Sequence, residues 1–209
     1  MPTLIGLLGR GGILMAPLLL FSILSLWIFL ERFYHLKRAD GKAGYLFKAV
    51  ADLILRRDWE GALQRTRQCP GPVAAVFSEL LEQRLKGKPD LEELATIQGK
   101  EELRRLTVRL PLLNLIAGLA PLIGLLGTVM GMVKAFQKVA ASPGAVNPSL
   151  LASGIWEALL TTVAGLMVAI PAFLFHHYLD QKVKEYAFQM DHYGTLLIRL
   201  LTTTEGTDA

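Results

Sequence analysis

A single cysteine, Cys69, is all that the 209 residues hold, so no intrachain disulfide can form and no cysteine-based metal site is available. It lies in CPGP, a turn motif that asks nothing special of a thiol. Charge is scarce as well. Only 19% of the residues are charged, against about a quarter in ordinary soluble domains, so a purely soluble fold is a poor fit. No basic stripe interleaved with aromatics occurs, which argues against nucleic acid as a partner. Nor is there a nucleophile–base pair, a metal-ligand cluster or a phosphate loop, and the glycines from Gly124 to Gly131 lack the preceding strand of a dinucleotide site. These absences read as a chain that is not an enzyme and needs no cofactor or metal. Convincing strands are missing too, so the expected fold is all-α.

What is present is long apolar sequence. Twenty residues between Arg10 and Glu31 carry no formal charge, as do twenty-four between Arg109 and Lys134. A third run, ALLTTVAGLMVAIPAFLFHHYL, follows Glu157 and ends at Asp180. About 20 apolar residues suffice for a helix to cross the hydrocarbon core. Buried helices of a soluble core usually keep one polar face, so three such runs in one chain point to three membrane spans. The first is not a signal peptide by composition: its basic flank is one arginine, no small-residue cleavage motif follows, and Glu31-Arg32 continues into helix-forming sequence.

The net charge of +4 is unevenly placed, since sixteen of the twenty-two Lys and Arg residues fall between Arg32 and Arg109. Arg32, Lys37, Arg38 and Lys42 flank one membrane end of that segment and Arg104, Arg105 and Arg109 the other. The bias of short basic loops towards the cytoplasm puts this segment inside. The N-terminus and the 139–152 connection are then outside, and the tail with Lys182, Lys184 and Arg199 is inside. The expected division is an outer N-terminus at 1–12, spans at 13–30, 111–136 and 155–178, a cytoplasmic helical loop at 31–110, an outer loop at 137–154, and a cytoplasmic helix and tail at 179–209.

Within the loop, Leu46, Val50, Leu53 and Ile54 fall at helical spacing, and Asp58 is placed to cap DWEGALQRTRQ. A stripe of Val73, Val76, Phe77, Leu80 and Leu81 marks the next helix. Pro89 suits a first helical position. From Asp90 the pattern stays helical into the second span, predicting one long helix only mildly interrupted at Gly99 and Pro111. The third span likewise continues into the tail, with TTTEGTDA frayed. The loop is small for closing a core of its own, which points to packing against further copies of the chain.

The spans differ in polarity. Ser22 and Ser25 in the first can bond back to a preceding carbonyl, leaving a lipid-facing helix. The second carries Gly118, Gly124, Gly127 and Gly131, and the third Gly165. Small residues of this kind let helix backbones approach closely inside a membrane. Thr128, Thr161 and Thr162 accompany them. Taken singly, each threonine is open to two readings, a hydroxyl returned to its own helix or a group lining a polar path. Glu157 lies one turn before Thr161. An ionisable group costs about 2.5–3.5 kcal/mol at the centre of a span and less at its edge, and usually faces a bundle interior or a water-filled path. An acid followed one turn deeper by neutral hydroxyls suits proton or cation passage. Yet no second carboxylate sits at depth, and His176-His177 lie at the inner boundary, so a titrating group at mid-membrane would have to come from another chain.

LNLIAGLAPLIGLLGTVMGMVKAF, followed by NPSLLASGIWEALLTTVAGLMVAIPAFLFHHYL, resembles the MotA/TolQ/ExbB proton-channel family, above all its ExbB and TolQ branch, over about residues 112–179. The resemblance implies a homopentamer in the bacterial inner membrane around a dimeric single-span partner, ExbD or TolR, whose helix carries a proton-binding aspartate. By position, Thr128 and Thr162 correspond to threonines facing that aspartate and Glu157 to the glutamate opening the third span; Thr161 holds a place where alanine also occurs. The implied function is a proton-driven motor acting on outer-membrane transport through a TonB-like protein, or on envelope maintenance as in TolQ. A non-conducting membrane scaffold is the competing reading.

Overall fold

A computed structural model of the chain describes residues 12–40, 42–87, 90–141 and 148–205. They form seven helices: α1 (Met15–Arg38), α2 (Ala43–Leu55), α3 (Trp59–Gln68), α4 (Pro72–Leu85), α5 (Leu91–Thr107), α6 (Leu110–Ala140) and α7 (Pro148–Glu205). No strand occurs among the described residues, and the fold is the all-α one read from the sequence. Three helices are long and apolar enough to cross a membrane. The described parts of 1–30 and 109–177 form one compact unit, and those of 31–108 and 178–209 form another; α1 and α7 contribute residues to both.

In the first, spanning unit, α1 buries Leu18, Ser25 and Ile28 and leaves Leu20, Ile23 and Leu30 exposed. Ser25 donates to the Ser22 carbonyl at 2.9 Å, which removes its hydroxyl from the apolar balance. Met15 and Leu18 pack with Ala120 of α6 and Ala169 of α7. Phe29 stacks on Phe175 with ring centroids 4.0 Å apart, and the Arg109 guanidinium lies 4.8 Å from the Trp27 ring centre.

The second unit is a bundle with a core of its own. Leu46, Val50 and Ile54 of α2 meet Val73, Val76, Phe77, Leu80 and Leu81 of α4, all buried. The residues at helical spacing in the sequence thus leave water, except Leu53, which is only partly buried against this core. Met190, Leu197 and Leu201 of α7 complete this core, so the loop closes by recruiting the far end of the last helix, which reading the loop in isolation missed. Asp58 accepts from the Gly61 amide at 2.9 Å and Asp90 from the Glu93 amide at 3.1 Å, each satisfying an amide that the first helical turn leaves without a carbonyl. Pro89 lies outside the described residues.

Two expectations need correcting. The helix from Asp90 does not run on into the second span: it ends at Thr107, and Arg109 takes a left-handed backbone with φ 68 before α6 begins. Pro111 favours the break, since its ring would clash with the carbonyl four residues back, that of Thr107, and it has no amide to bond it; Pro121 and Pro171, by contrast, lie within continuous helices. Thr107 instead turns its hydroxyl onto the Leu103 and Arg104 carbonyls at 3.0 and 3.1 Å. The second correction is at the tail, where Thr202–Glu205 remain helical. Thr202 and Thr203 donate to the Arg199 carbonyl, and Thr204 to those of Leu200 and Leu201. The rest of the tail, 206–209, lies outside the described residues, as do 1–11 and residues 142–147 of the expected outer loop.

Tyr186 ties α7 to the end of α1. Its buried hydroxyl donates to the Leu36 carbonyl at 2.7 Å, in the last turn of α1, where the Ala39 amide also reaches that carbonyl at 3.1 Å. Tyr186→Phe is expected to cost about 0.5–1.5 kcal/mol, read as a lower thermal midpoint of the purified protein. Burial, reinforced by the Asp40 charge, pushes the phenol above its usual range. A raised pKa in the fold means that ionisation opposes folding. The contribution of the hydroxyl is therefore intact below about pH 10, the ordinary phenol value, and fades as pH climbs through the raised one. The gap between wild type and variant should narrow in that alkaline range.

Candidate functional site

The seam between α6 and α7 is built from the small residues. A β-carbon placed on Gly165 would lie 2.6 Å from the Ala120 carbonyl oxygen and 3.0 Å from the Gly124 Cα. One on Gly124 would meet the Thr161 carbonyl oxygen at 3.0 Å, and one on Gly131 the Ala158 Cβ at 2.8 Å. Gly127 takes the side chain of Thr161 directly against its backbone. All four glycines expected to serve packing, Gly124, Gly127, Gly131 and Gly165, lie on this seam. Gly118 does not; a β-carbon there would meet nothing within 4 Å. Further along, Gly154 faces Ala135. Read in order, Gly165, Thr161, Ala158 and Gly154 match Ala120–Gly124, Gly127, Gly131 and Ala135, so the two helices run antiparallel.

Each candidate hydroxyl has a definite partner. Thr162 donates across the seam to the Gly124 carbonyl at 3.0 Å. Thr161 is buried and returns its proton to the Ala158 carbonyl at 2.7 Å. Thr128 donates to the Leu125 carbonyl at 2.6 Å and borders an apolar groove of about 640 Å³ with Val129, Met132, Val133 and Phe136. Since Thr128 is four residues beyond Gly124, it stacks on the same side of α6, within a turn of the Thr162 hydrogen bond. Of the two readings left open for each threonine, Thr161 and Thr128 thus bond back to their own helices, while Thr162 bonds to the neighbouring one. A threonine hydroxyl that donates still offers its lone pairs to a second group, so back-bonding and lining are compatible.

Glu157 is half-buried. It shares a small cleft of about 20 Å³ with Gly12, Gly131, Lys134 and Thr161. The structure therefore brings Glu157 together with Thr161, and Thr162 together with Gly124 and Gly165, along one seam. Lys134 was not a site candidate in the sequence, where it only ended the second charge-free run. It is far from Glu157 along the chain, and no spacing rule links them; the antiparallel register does. Among the described residues no group of three or more His, Cys, Asp or Glu side chains is placed to hold a metal ion.

Three apolar helices, two of them joined by a close-packed seam that carries hydroxyls and one acid, define a multi-pass membrane protein. The chain belongs to the MotA/TolQ/ExbB proton channel family, whose profile matches residues 69–192. It is 31% identical over 180 residues to the biopolymer transport protein exbB1 of Vibrio cholerae serotype O1, covering 77% of this chain and 72% of that one. It is 35% identical over 169 residues to a putative biopolymer transport protein, ExbB-like 3, of Synechocystis, covering 79% of each. A Tol-Pal system protein TolQ from Haemophilus influenzae matches at 36% over 102 residues, 47% of this chain and 44% of that one. The resemblance to the ExbB and TolQ branch thus rests on sequence well beyond the motifs of the second and third spans.

Proposed function

We propose that the chain is the ExbB-like subunit of a proton-driven motor in the bacterial inner membrane. It assembles as a pentamer around a dimer of a single-span ExbD- or TolR-type partner and couples the proton motive force to outer-membrane transport through a TonB-like protein. The observation that carries this reading is the composition of the seam. Glu157 stands at one end of it and the Thr128 and Thr162 hydroxyls lie deeper, yet no carboxylate or lysine lies within 110–133 or 158–179. A proton path needs a titrating group at depth, and hydroxyls can serve such a group by hydrogen bonding without taking its charge. In this reading a partner aspartate supplies it, Thr128 and Thr162 face it, Glu157 attracts protons at the periplasmic mouth, and Thr161 braces Gly127. The basic segment 31–110 and the tail 179–209 are cytoplasmic, the N-terminus and the 137–154 loop periplasmic. The match to a Tol-Pal protein supports a second version, in which the same motor serves envelope maintenance.

The test is reconstitution into liposomes with the partner, following acidification of the lumen by a trapped dye. Flux is expected only with the partner present, and is expected to vanish when the partner's membrane aspartate becomes asparagine. Equal flux with and without the partner, or none with it, counts against the motor and for a scaffold.

A further inference from the structure

Lys134 is the one ionisable group, among the described residues, that lines the Glu157 cleft beside Glu157 itself. The seam explains why they meet. Gly131 packs on Ala158 and Ala135 on Gly154, which sets Lys134 at the level of α7 residues 154–158. Side chains lean towards the N-terminus of their helix. In an antiparallel pair that tilts Lys134 towards the level of Gly131 and Glu157 towards that of Ala135, which brings both to the one cleft. The segment that closes the cleft from the start of α1 contributes Gly12, Ile13 and Leu14, none of which is charged. The cavity, about 20 Å³, has room for about one water and not for a hydrated alkali ion.

We infer that Lys134 is a positioning residue that neutralises Glu157 and thereby makes this cleft selective for protons over sodium or potassium. The inference rests on the proton-path reading above. A bare carboxylate at a membrane mouth attracts every cation through its charge. A carboxylate matched by an ammonium group presents no net charge to a metal ion, while its oxygen lone pairs can still take a proton in a covalent O–H bond that a metal ion cannot form.

The test uses the full chain with its partner in liposomes, comparing wild type, Lys134→Gln and Lys134→Arg for uptake of radioactive sodium and for sodium inhibition of proton flux. Lys134→Gln should raise sodium uptake on the order of tenfold, the scale of one uncompensated charge near the surface, and Lys134→Arg should restore exclusion. Sodium exclusion by Lys134→Gln as complete as in wild type overturns the inference. A zero-length carbodiimide cross-link, read by peptide mass spectrometry on the detergent-solubilised full chain, separates this inference from the motor itself. A Lys134–Glu157 amide supports the pairing even if wild type carries no flux, which would sink the motor alone; absence of the amide, with other cross-links formed, overturns the pairing.

Discussion

Thr162→Val is expected to reduce proton-dependent activity by roughly 10- to 150-fold while leaving the oligomer intact. Valine matches the shape of threonine, so what is lost is the hydroxyl that donates to the Gly124 carbonyl. A neutral hydrogen bond of this kind contributes about 0.5–1.5 kcal/mol to stability, too little to dissolve a seam held by backbone contact at Gly124 and Gly165. A hydrogen bond to a charged group contributes about 1.5–3 kcal/mol, and each 1.36 kcal/mol is tenfold in rate. To serve an ionised carboxylate the hydroxyl must turn its one proton from the Gly124 carbonyl to that group; if it does so in each cycle, activity falls much further than folding does. Thr162→Ser, which keeps the hydroxyl, should retain most of the flux. Proton flux of the two variants beside their elution on size exclusion separates the cases: unchanged flux in Thr162→Val removes the residue from the proton path.

Gly165→Leu is expected to abolish assembly and with it all activity. The nearest atoms to a new β-carbon at Gly165 are the Ala120 carbonyl oxygen at 2.6 Å and the Gly124 Cα at 3.0 Å. Both belong to backbone, so no rotamer change can make room and the helices must part. The three further heavy atoms of the substituent would then separate α6 from α7 along the whole small-residue surface. Gly165→Ala carries the milder form of the same fault, about 1–3 kcal/mol for overpacking. Gly118→Ala is the matched control: a β-carbon there meets nothing within 4 Å, and the change should be neutral. Thermal unfolding in detergent, followed by size exclusion, reads all three. A Gly165→Ala protein as stable as Gly118→Ala would mean that the seam is looser than described.

The spans and the bundle stripes were legible because each depends on one helix at a time. A charge-free run must leave water whatever its neighbours are, and Val73, Val76, Phe77, Leu80 and Leu81 share a face by geometry alone. The break at Arg109 is less legible, because a proline can stop a helix or sit within one, as Pro121 and Pro171 do in α6 and α7. What lay beyond the sequence were relations between helices. Gly118 and Gly124 look alike in the chain, yet only Gly124 meets a neighbouring backbone. Thr161 and Thr162 are adjacent, yet one points its proton into its own helix and the other across the seam. Lys134 and Glu157 meet only through antiparallel register. The closing of the bundle core by Met190, Leu197 and Leu201 has the same character, since it pairs segments that lie far apart along the chain.

The most direct test of the motor is the native mass of the detergent-extracted complex after co-expression with a single-span ExbD- or TolR-type partner. A pentamer of this chain that retains a partner dimer is expected, and the same assembly for Thr162→Val. A homo-oligomer of another size that retains no partner would contradict it, because the aspartate that the seam is proposed to serve would then have no place in the protein.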